Sequence, residues 1–174
     1  MKKDINQITF CGLISALSVA LMFLSTIFCY SSLIGAACCG YLNLIVAKET
    51  KISRAFCSYF IVITLASLFV ARKSILINYA IFNGIYPIVE TKISNIKNIS
   101  LRFVFKFLIF SLCSLIIINF NLFILGLNDM PTKQVQILGY VSMFAWCFCF
   151  DFFLQDIKNL YITKIRPQLL KQLN

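Results

Sequence analysis

The chain has 174 residues, of which 60% are hydrophobic and only 13% are charged, whereas about a quarter of the residues of a soluble domain are charged. This much apolar surface cannot be hidden in the interior of a soluble domain of this size, so the composition excludes that class and predicts an integral membrane protein. The net charge of +10 comes from lysines and arginines grouped between long uncharged runs. We attribute it to membrane topology, and we expect no nucleic acid partner.

The first uncharged run extends from Ile5 to Ala47. As one helix it would measure about 64 Å, twice the thickness of a hydrocarbon core, so it must fold back, and Tyr30, Ser31 and Ser32 mark the turn. Apolar runs in lipid satisfy their backbone groups as helices. We therefore predict an all-α, polytopic membrane protein whose single domain, 1–174, is a six-helix transmembrane bundle. The predicted helices lie at about 8–29, 32–47, 55–71, 74–89, 104–127 and 134–156.

The positions of the basic residues predict the orientation of this bundle. Six helices place both termini on one side together with thirteen of the 16 lysines and arginines, and leave Arg72, Lys73 and Lys133 on the other side. The positive-inside rule then gives a multi-pass protein of the cell membrane with both termini cytoplasmic. The N-terminal apolar run, 8–28, is longer than the core of a cleaved signal peptide, so we expect it to be the first helix.

Helix one carries a small residue at every fourth position, namely Gly12, Ala16 and Ala20. In membranes such spacing lets two helix backbones approach closely, so these residues form a candidate docking face for a partner protein. The same spacing also suits packing within this protein's own bundle. The sequence leaves both interpretations open.

Cysteine and histidine usage bears on catalysis and metal binding. The eight cysteines lie in or beside apolar runs without a CxxC pair, and the chain has no histidine. We interpret the cysteines as small buried hydrophobes and predict no metal site and no cofactor. The absence of histidine excludes HExxH zinc hydrolysis, and no glycine-rich phosphate loop is present. We therefore predict no catalytic residues and a protein that is not an enzyme.

The segment "NYAIFNGIYPIVET", residues 78–91, is unusually polar for a membrane helix. On a regular helix Asn78, Tyr79, Asn83 and Tyr86 share one face, whereas the opposite face is apolar. Polar groups in a transmembrane helix almost always face the bundle interior or an aqueous cavity. We therefore expect this face to point inward.

Polar side chains on two later helices lie at the same depth. Helix five carries Asn119 and Asn121, and helix six carries Tyr140, with Trp146 deeper. A few placed polar groups beside aromatic and apolar walls are typical of a ligand pocket. We predict that these four residues and the four on helix four bind a small-molecule ligand near the external leaflet. The alternative is that they only join helices through hydrogen bonds.

Two acidic residues, Glu90 and Asp151, lie at the predicted cytoplasmic ends of their helices. Each can pair with a nearby lysine or arginine, or serve in coupling or gating. The stretch from Glu90 to Lys106 is predicted to lie along the membrane surface. Gly84 and Pro87 permit a kink in helix four, a device that transporters use near binding sites.

Six helices in a chain of this length, with "GLISALSVA" on helix one, resemble the substrate-binding S components of energy-coupling-factor vitamin transporters. In that family, the small-residue face of helix one docks on a T component, two ATPases supply the energy, and the vitamin binds near the external side. The resemblance implies a substrate-binding subunit of a small-nutrient transporter, with Gly12, Ala16 and Ala20 as its docking face. Its implied partners are the lipid bilayer, a T component, ATPase subunits and a small-molecule ligand.

Two further stretches, "IFNGIYPIVE" and "LYITKIRPQLL", are similar to a group of small membrane proteins from Gram-positive bacteria. That group suggests no substrate. The alternative function is a non-transport membrane scaffold or accessory protein, in which the polar residues only hold the bundle together.

Overall fold

The computed structural model describes residues 2–28, 32–96, 98–124 and 133–165. Within these ranges the chain forms only helices and the short connections between them. The α-helices are α1 (Lys2–Ile27), α2 (Ser32–Glu49), α3 (Ile52–Phe69), α4 (Lys73–Asn78), α5 (Tyr86–Ile93), α6 (Ile99–Ile124) and α7 (Lys133–Leu160). A π-helical segment, Tyr79–Asn83, joins α4 to a turn before α5, and a second one, Tyr161–Ile165, follows α7.

The all-α prediction is confirmed for the described residues. Four stretches in them are long and apolar enough to cross a membrane, namely Gln7–Ile27, Ile52–Phe69, Ile99–Phe123 and Gln136–Lys164. The predicted fourth helix is interrupted, and we call residues 73–93 the broken helix. Of the predicted turn between helices one and two, Tyr30 and Ser31 lie outside the described residues.

Helix α2 lies at the centre of the bundle and contacts α1, α3, both α-helical parts of the broken helix, and α7. Its buried residues are Gly35, Ala36, Ala37, Cys39, Gly40, Asn43, Leu44, Val46 and Ala47. Most are small, and small side chains let helix backbones approach each other in a membrane protein. They also cover most of the circumference of the helix, which is typical of a helix enclosed by neighbours.

Two apolar clusters flank α2. The first contains Val46 of α2, Met22 of α1 and Val62 of α3. The second contains Leu44 of α2 together with Phe110 and Phe150, which belong to α6 and α7. Helix α2 and the broken helix contribute to both clusters, so together they connect α1 and α3 to α6 and α7.

The break in the broken helix follows from Pro87, which has no backbone N–H to donate to the carbonyl of Asn83. The amide of Gly84 bonds the carbonyl of Tyr79, 2.7 Å away, in the i to i+5 pattern of a π-helix. This pairing leaves the carbonyl of Ala80 without its helical donor, and the hydroxyl of Tyr59 donates to it at 2.7 Å.

A second carbonyl in the break is satisfied from α2. The side-chain nitrogen of Asn43 donates to the carbonyl of Gly84 at 2.6 Å, and Asn43 is 2% exposed. An unpaired peptide group in a buried apolar environment is costly, so these side-chain donors stabilise the break. The break therefore depends on close contact between the broken helix and both α2 and α3.

Gly40 permits that contact. A Cβ at this position would overlap the carbonyl oxygen of Asn83 and would lie 3.0 Å from the ring of Phe150. Because the first of these is a backbone atom, no side-chain rotation relieves the overlap. Only glycine lets the break lie directly against α2.

We expect Gly40→Ala to lower the free energy of unfolding by about 1–3 kcal/mol, because the added methyl forces α2 away from the broken helix. The measurement is the thermal unfolding midpoint of the detergent-purified protein. Gly12→Ala is the matched control, since a Cβ at Gly12 meets nothing within 4 Å. Equal midpoints for the two variants would contradict the close approach.

Candidate functional site

A cavity of about 400 Å³ opens between the start of α2, α4, α6 and α7. We call it the polar cavity. Its polar lining consists of Ser32, Ser74, Asn78, Asn121, Ser142 and Trp146. Apolar residues, among them Ile117 and Met143, complete the wall. This volume and this mixture of apolar wall with a few polar groups are typical of small-molecule sites.

Hydrogen bonds connect the polar groups across three helices. The hydroxyl of Ser74 donates to Oδ1 of Asn121 at 2.9 Å, and Asn121 donates to the carbonyl of Ile117, on its own helix, at 2.8 Å. The amide nitrogen of Asn78 donates to the hydroxyl of Ser32 at 3.4 Å. These bonds hold one wall of the polar cavity in a defined arrangement.

Two polar atoms of the lining have no partner among the described residues. They are Oδ1 of Asn78, a residue only 2% exposed, and Nε1 of Trp146. Buried polar atoms are nearly always hydrogen-bonded, and here an unpaired acceptor and an unpaired donor belong to residues that line one cavity. Both atoms are themselves enclosed by their surroundings.

Of the eight predicted ligand-binding residues, the polar cavity brings together Asn78, Asn121 and Trp146. Tyr79 packs instead on Tyr59 of α3, with ring centroids 5.9 Å apart. Asn83, which is fully buried, donates to the carbonyl of Asn78 at 3.4 Å within the broken helix. These two side chains therefore serve the packing around the break.

Three more predicted residues lie elsewhere. The hydroxyl of Tyr140 donates to Oδ1 of Asn119 at 3.3 Å, in an exposed pair between α6 and α7. Tyr140 lines a separate recess of about 230 Å³. Tyr86 lies deep in the bundle, where its hydroxyl donates to Asp151. None of the three lines the polar cavity.

Sequence analysis missed the serines of the polar cavity. Ser74 precedes Asn78 by four residues, a spacing that places both on one helix face. That spacing was the available signal for Ser74. Ser32 and Ser142 gave no signal, because single serines are common in membrane helices and their role depends on which helices meet.

Both predicted acidic residues are in ion pairs. Asp151 accepts two hydrogen bonds from the ammonium of Lys106, at 2.7 and 2.8 Å, and one from Gln155 at 2.9 Å. Asp151 is 8% exposed and Lys106 is 7% exposed. With the bond from Tyr86, this carboxylate joins the broken helix, α6 and α7 in one network.

The second ion pair joins Glu90 of α5 to Lys158 of α7 at 3.4 Å. Lys48, in the last turn of α2, lies near both Lys158 and Glu90. We call this end of the bundle, where α2 ends and α6 begins, the basic end.

The small-residue stripe of α1 faces outward. Gly12, Ala16 and Ala20 are all exposed, whereas Ser15 and Met22 on the other side of α1 are buried against α2 and α3. Within the part of the chain that the structure describes, the stripe therefore takes no part in helix packing. It leaves a smooth face that another helix could approach closely.

No protein-family model matches the chain, and neither does any curated protein or solved structure in the comparisons. Within the described ranges, no group of three or more His, Cys, Asp or Glu side chains is placed to hold a metal ion. The resemblance to S components stays a prediction that rests on the architecture and on the α1 stripe.

We expect Lys106→Met to cost about 3–5 kcal/mol of stability, because it leaves the buried carboxylate of Asp151 without a counter-charge. The double variant Lys106→Met/Asp151→Leu removes both charges and should recover most of that loss. The measurement is the unfolding midpoint and the yield of monodisperse protein. Lys92→Met, at an exposed position on α5, controls for loss of a lysine. A double variant no more stable than Lys106→Met would contradict the pairing.

Proposed function

We propose that the chain is an integral membrane subunit that binds a small polar nutrient for a transporter, energised by a separate T component and ATPase subunits. The observation that carries the proposal is the polar cavity, with its unpaired Asn78 acceptor and Trp146 donor. A substrate that both donates and accepts hydrogen bonds would satisfy both atoms. Its apolar parts would contact the wall around Ile117 and Met143.

The proposed topology has six spans and both termini in the cytoplasm. Besides the four long apolar stretches, α2 has 18 residues, which measure about 27 Å, and the broken helix measures about 31 Å. Both lengths suit a hydrocarbon core of about 30 Å. The basic end then lies at the cytoplasmic surface, as the positive-inside rule requires, and the polar cavity lies in the external half.

The outward-facing stripe supports docking on a partner in the membrane. Association in lipid depends on close packing, and a stripe of Gly12, Ala16 and Ala20 lets a partner helix approach within van der Waals contact. In the proposed complex this face binds the T component. The energy of nucleotide hydrolysis then reaches this chain through α1.

The ion-pair network supports a coupling role for Glu90 and Asp151. The broken helix and α7 line the polar cavity through Asn78 and Trp146, and the same two elements are joined at the basic end by Glu90 with Lys158 and by the bond from Tyr86 to Asp151. A shift of one element at the cavity therefore acts on the other through these bonds.

One observation favours the alternative, a non-transport scaffold. Tyr79, Asn83 and Tyr86 make contacts inside the bundle and do not line the cavity. If the remaining polar residues act in the same way, the chain binds no ligand and its polar groups only hold helices together.

Small-molecule mass spectrometry of the protein purified from its native membrane tests ligand binding. We expect a bound polar compound in the wild type and at least about a tenfold smaller amount in Asn78→Leu, which removes a buried hydrogen-bonding group. Asn119→Leu is the matched control because Asn119 is exposed and outside the polar cavity. An empty wild-type protein, or equal amounts in folded Asn78→Leu, would support the scaffold.

Co-purification from the same membrane tests docking. We expect Ala16→Trp to lose the T component and ATPases, because the indole separates α1 from its partner, while the bound compound is retained. Leu112→Trp places the same ring on an exposed position of α6 and should leave the complex intact. A complex that survives Ala16→Trp would refute the docking role of the stripe.

A further inference from the structure

We propose that the basic end binds one anionic phospholipid between α6 and α7, with its phosphate beside Arg102 and one acyl chain in an adjoining groove. This site is separate from the polar cavity and goes beyond the proposed transport function. The inference rests on two neighbouring cavities in the structure.

The first space is an apolar groove of about 810 Å³ between α6 and α7. Its wall is formed mainly by aromatic residues of the two helices, including Phe103, Phe107, Phe148 and Phe152. These side chains are between 43% and 67% exposed, so the groove is open along the face of the bundle. An acyl chain is the apolar molecule that a membrane supplies to such a groove.

The second space is a polar recess of about 220 Å³ at the head of the groove. Its charged lining consists of Glu90, Arg102, Lys106, Asp151 and Lys158. Phe103, Lys106, Asp151 and Gln155 line both spaces, so the recess and the groove are continuous. A charged recess that continues into an apolar groove fits an amphiphile better than a free ion.

The charge of the recess favours an anion. Lys106 and Lys158 are each paired with one of its two carboxylates, at 2.7 and 3.4 Å. Arg102 is the remaining charged residue of the lining. One of its terminal nitrogens donates to the carbonyl of Ile96 at 3.0 Å, and its Nε is buried without a partner among the described residues.

A phosphate diester supplies what Arg102 lacks, namely a negative charge and acceptor oxygens matched to a guanidinium. Basic pockets between transmembrane helices at the cytoplasmic side are a recurring mode of anionic lipid recognition. Arg102 lies in the first turn of α6, at the start of the stretch Ile99–Phe123 that is long and apolar enough to cross a membrane. That depth is where a lipid headgroup lies when its chain follows the groove.

Native mass spectrometry of the full chain in detergent, titrated separately with phosphatidylglycerol, phosphatidylcholine and inorganic phosphate, tests the site. We expect one bound phosphatidylglycerol, held about tenfold more tightly than phosphatidylcholine, and no retained inorganic phosphate. Equal affinity for the two lipids would overturn the assignment of an anionic headgroup. Retention of inorganic phosphate as strong as that of phosphatidylglycerol would overturn the assignment of a lipid.

Paired variants locate the headgroup. Arg102→Gln should lower phosphatidylglycerol affinity about tenfold, whereas Lys92→Gln, which removes an exposed charge near the same end, should leave it unchanged. If Arg102→Gln does not fold, Arg102→Lys keeps the charge but lacks the Nε–H, and it should lower the affinity at least about threefold. Unchanged affinity in a folded Arg102 variant would overturn the proposal.

A second pair locates the acyl chain. Val104→Trp fills the groove and should weaken phosphatidylglycerol binding, whereas Leu112→Trp, two turns further along α6 and outside the groove, should not. Equal phosphatidylglycerol binding by the two tryptophan variants would show that the acyl chain lies elsewhere, and would overturn its assignment to the groove.

Discussion

The break in the helix at residues 73–93 is the constraint on which the arrangement of this bundle depends. A buried carbonyl without a donor is costly, so the carbonyls released beside Pro87 must be satisfied by other parts of the protein. Tyr59 and Asn43 supply the donors from two different helices, and Gly40 provides the space for their approach. Both bonds require α2 and α3 to lie directly against the broken helix.

The break also separates two residues, Asn78 and Tyr86, that the sequence places on one polar face. A polar face was predicted with the 100° rotation per residue of a regular helix, but a π-helical segment has more residues per turn and changes the direction of every side chain after it. Asn78 precedes the π-helical segment and lines the polar cavity, as predicted. Tyr86 follows the segment, and its hydroxyl bonds Asp151 instead. The composition and the lengths of the apolar runs were sufficient to predict helices. The local change from α-helix to π-helix has no comparably simple signal in the sequence.

The charged residues show a second limit of sequence analysis. Lys106 was predicted at the end of a stretch along the membrane surface and in the first turn of helix five, 104–127. Helix α6 begins at Ile99 and places this lysine two turns inside the helix. There it is buried and paired with Asp151. The acidic residues could be recognised from their rarity, but their partners depend on where α6 begins and how α7 is rotated. A shift of a few residues in one helix boundary changes which charges meet.

The division of the interior into two clusters affects how the protein is made. Every buried member of the first cluster lies between Ile14 and Ile88, so this half can pack before the ribosome has synthesised α6. The second cluster needs Phe110 and Phe150, but its contacts on α2, Ala37 and Leu44, are already in place. The last two helices can therefore dock on a surface that is already formed, in the N-terminal-first order that is general during synthesis.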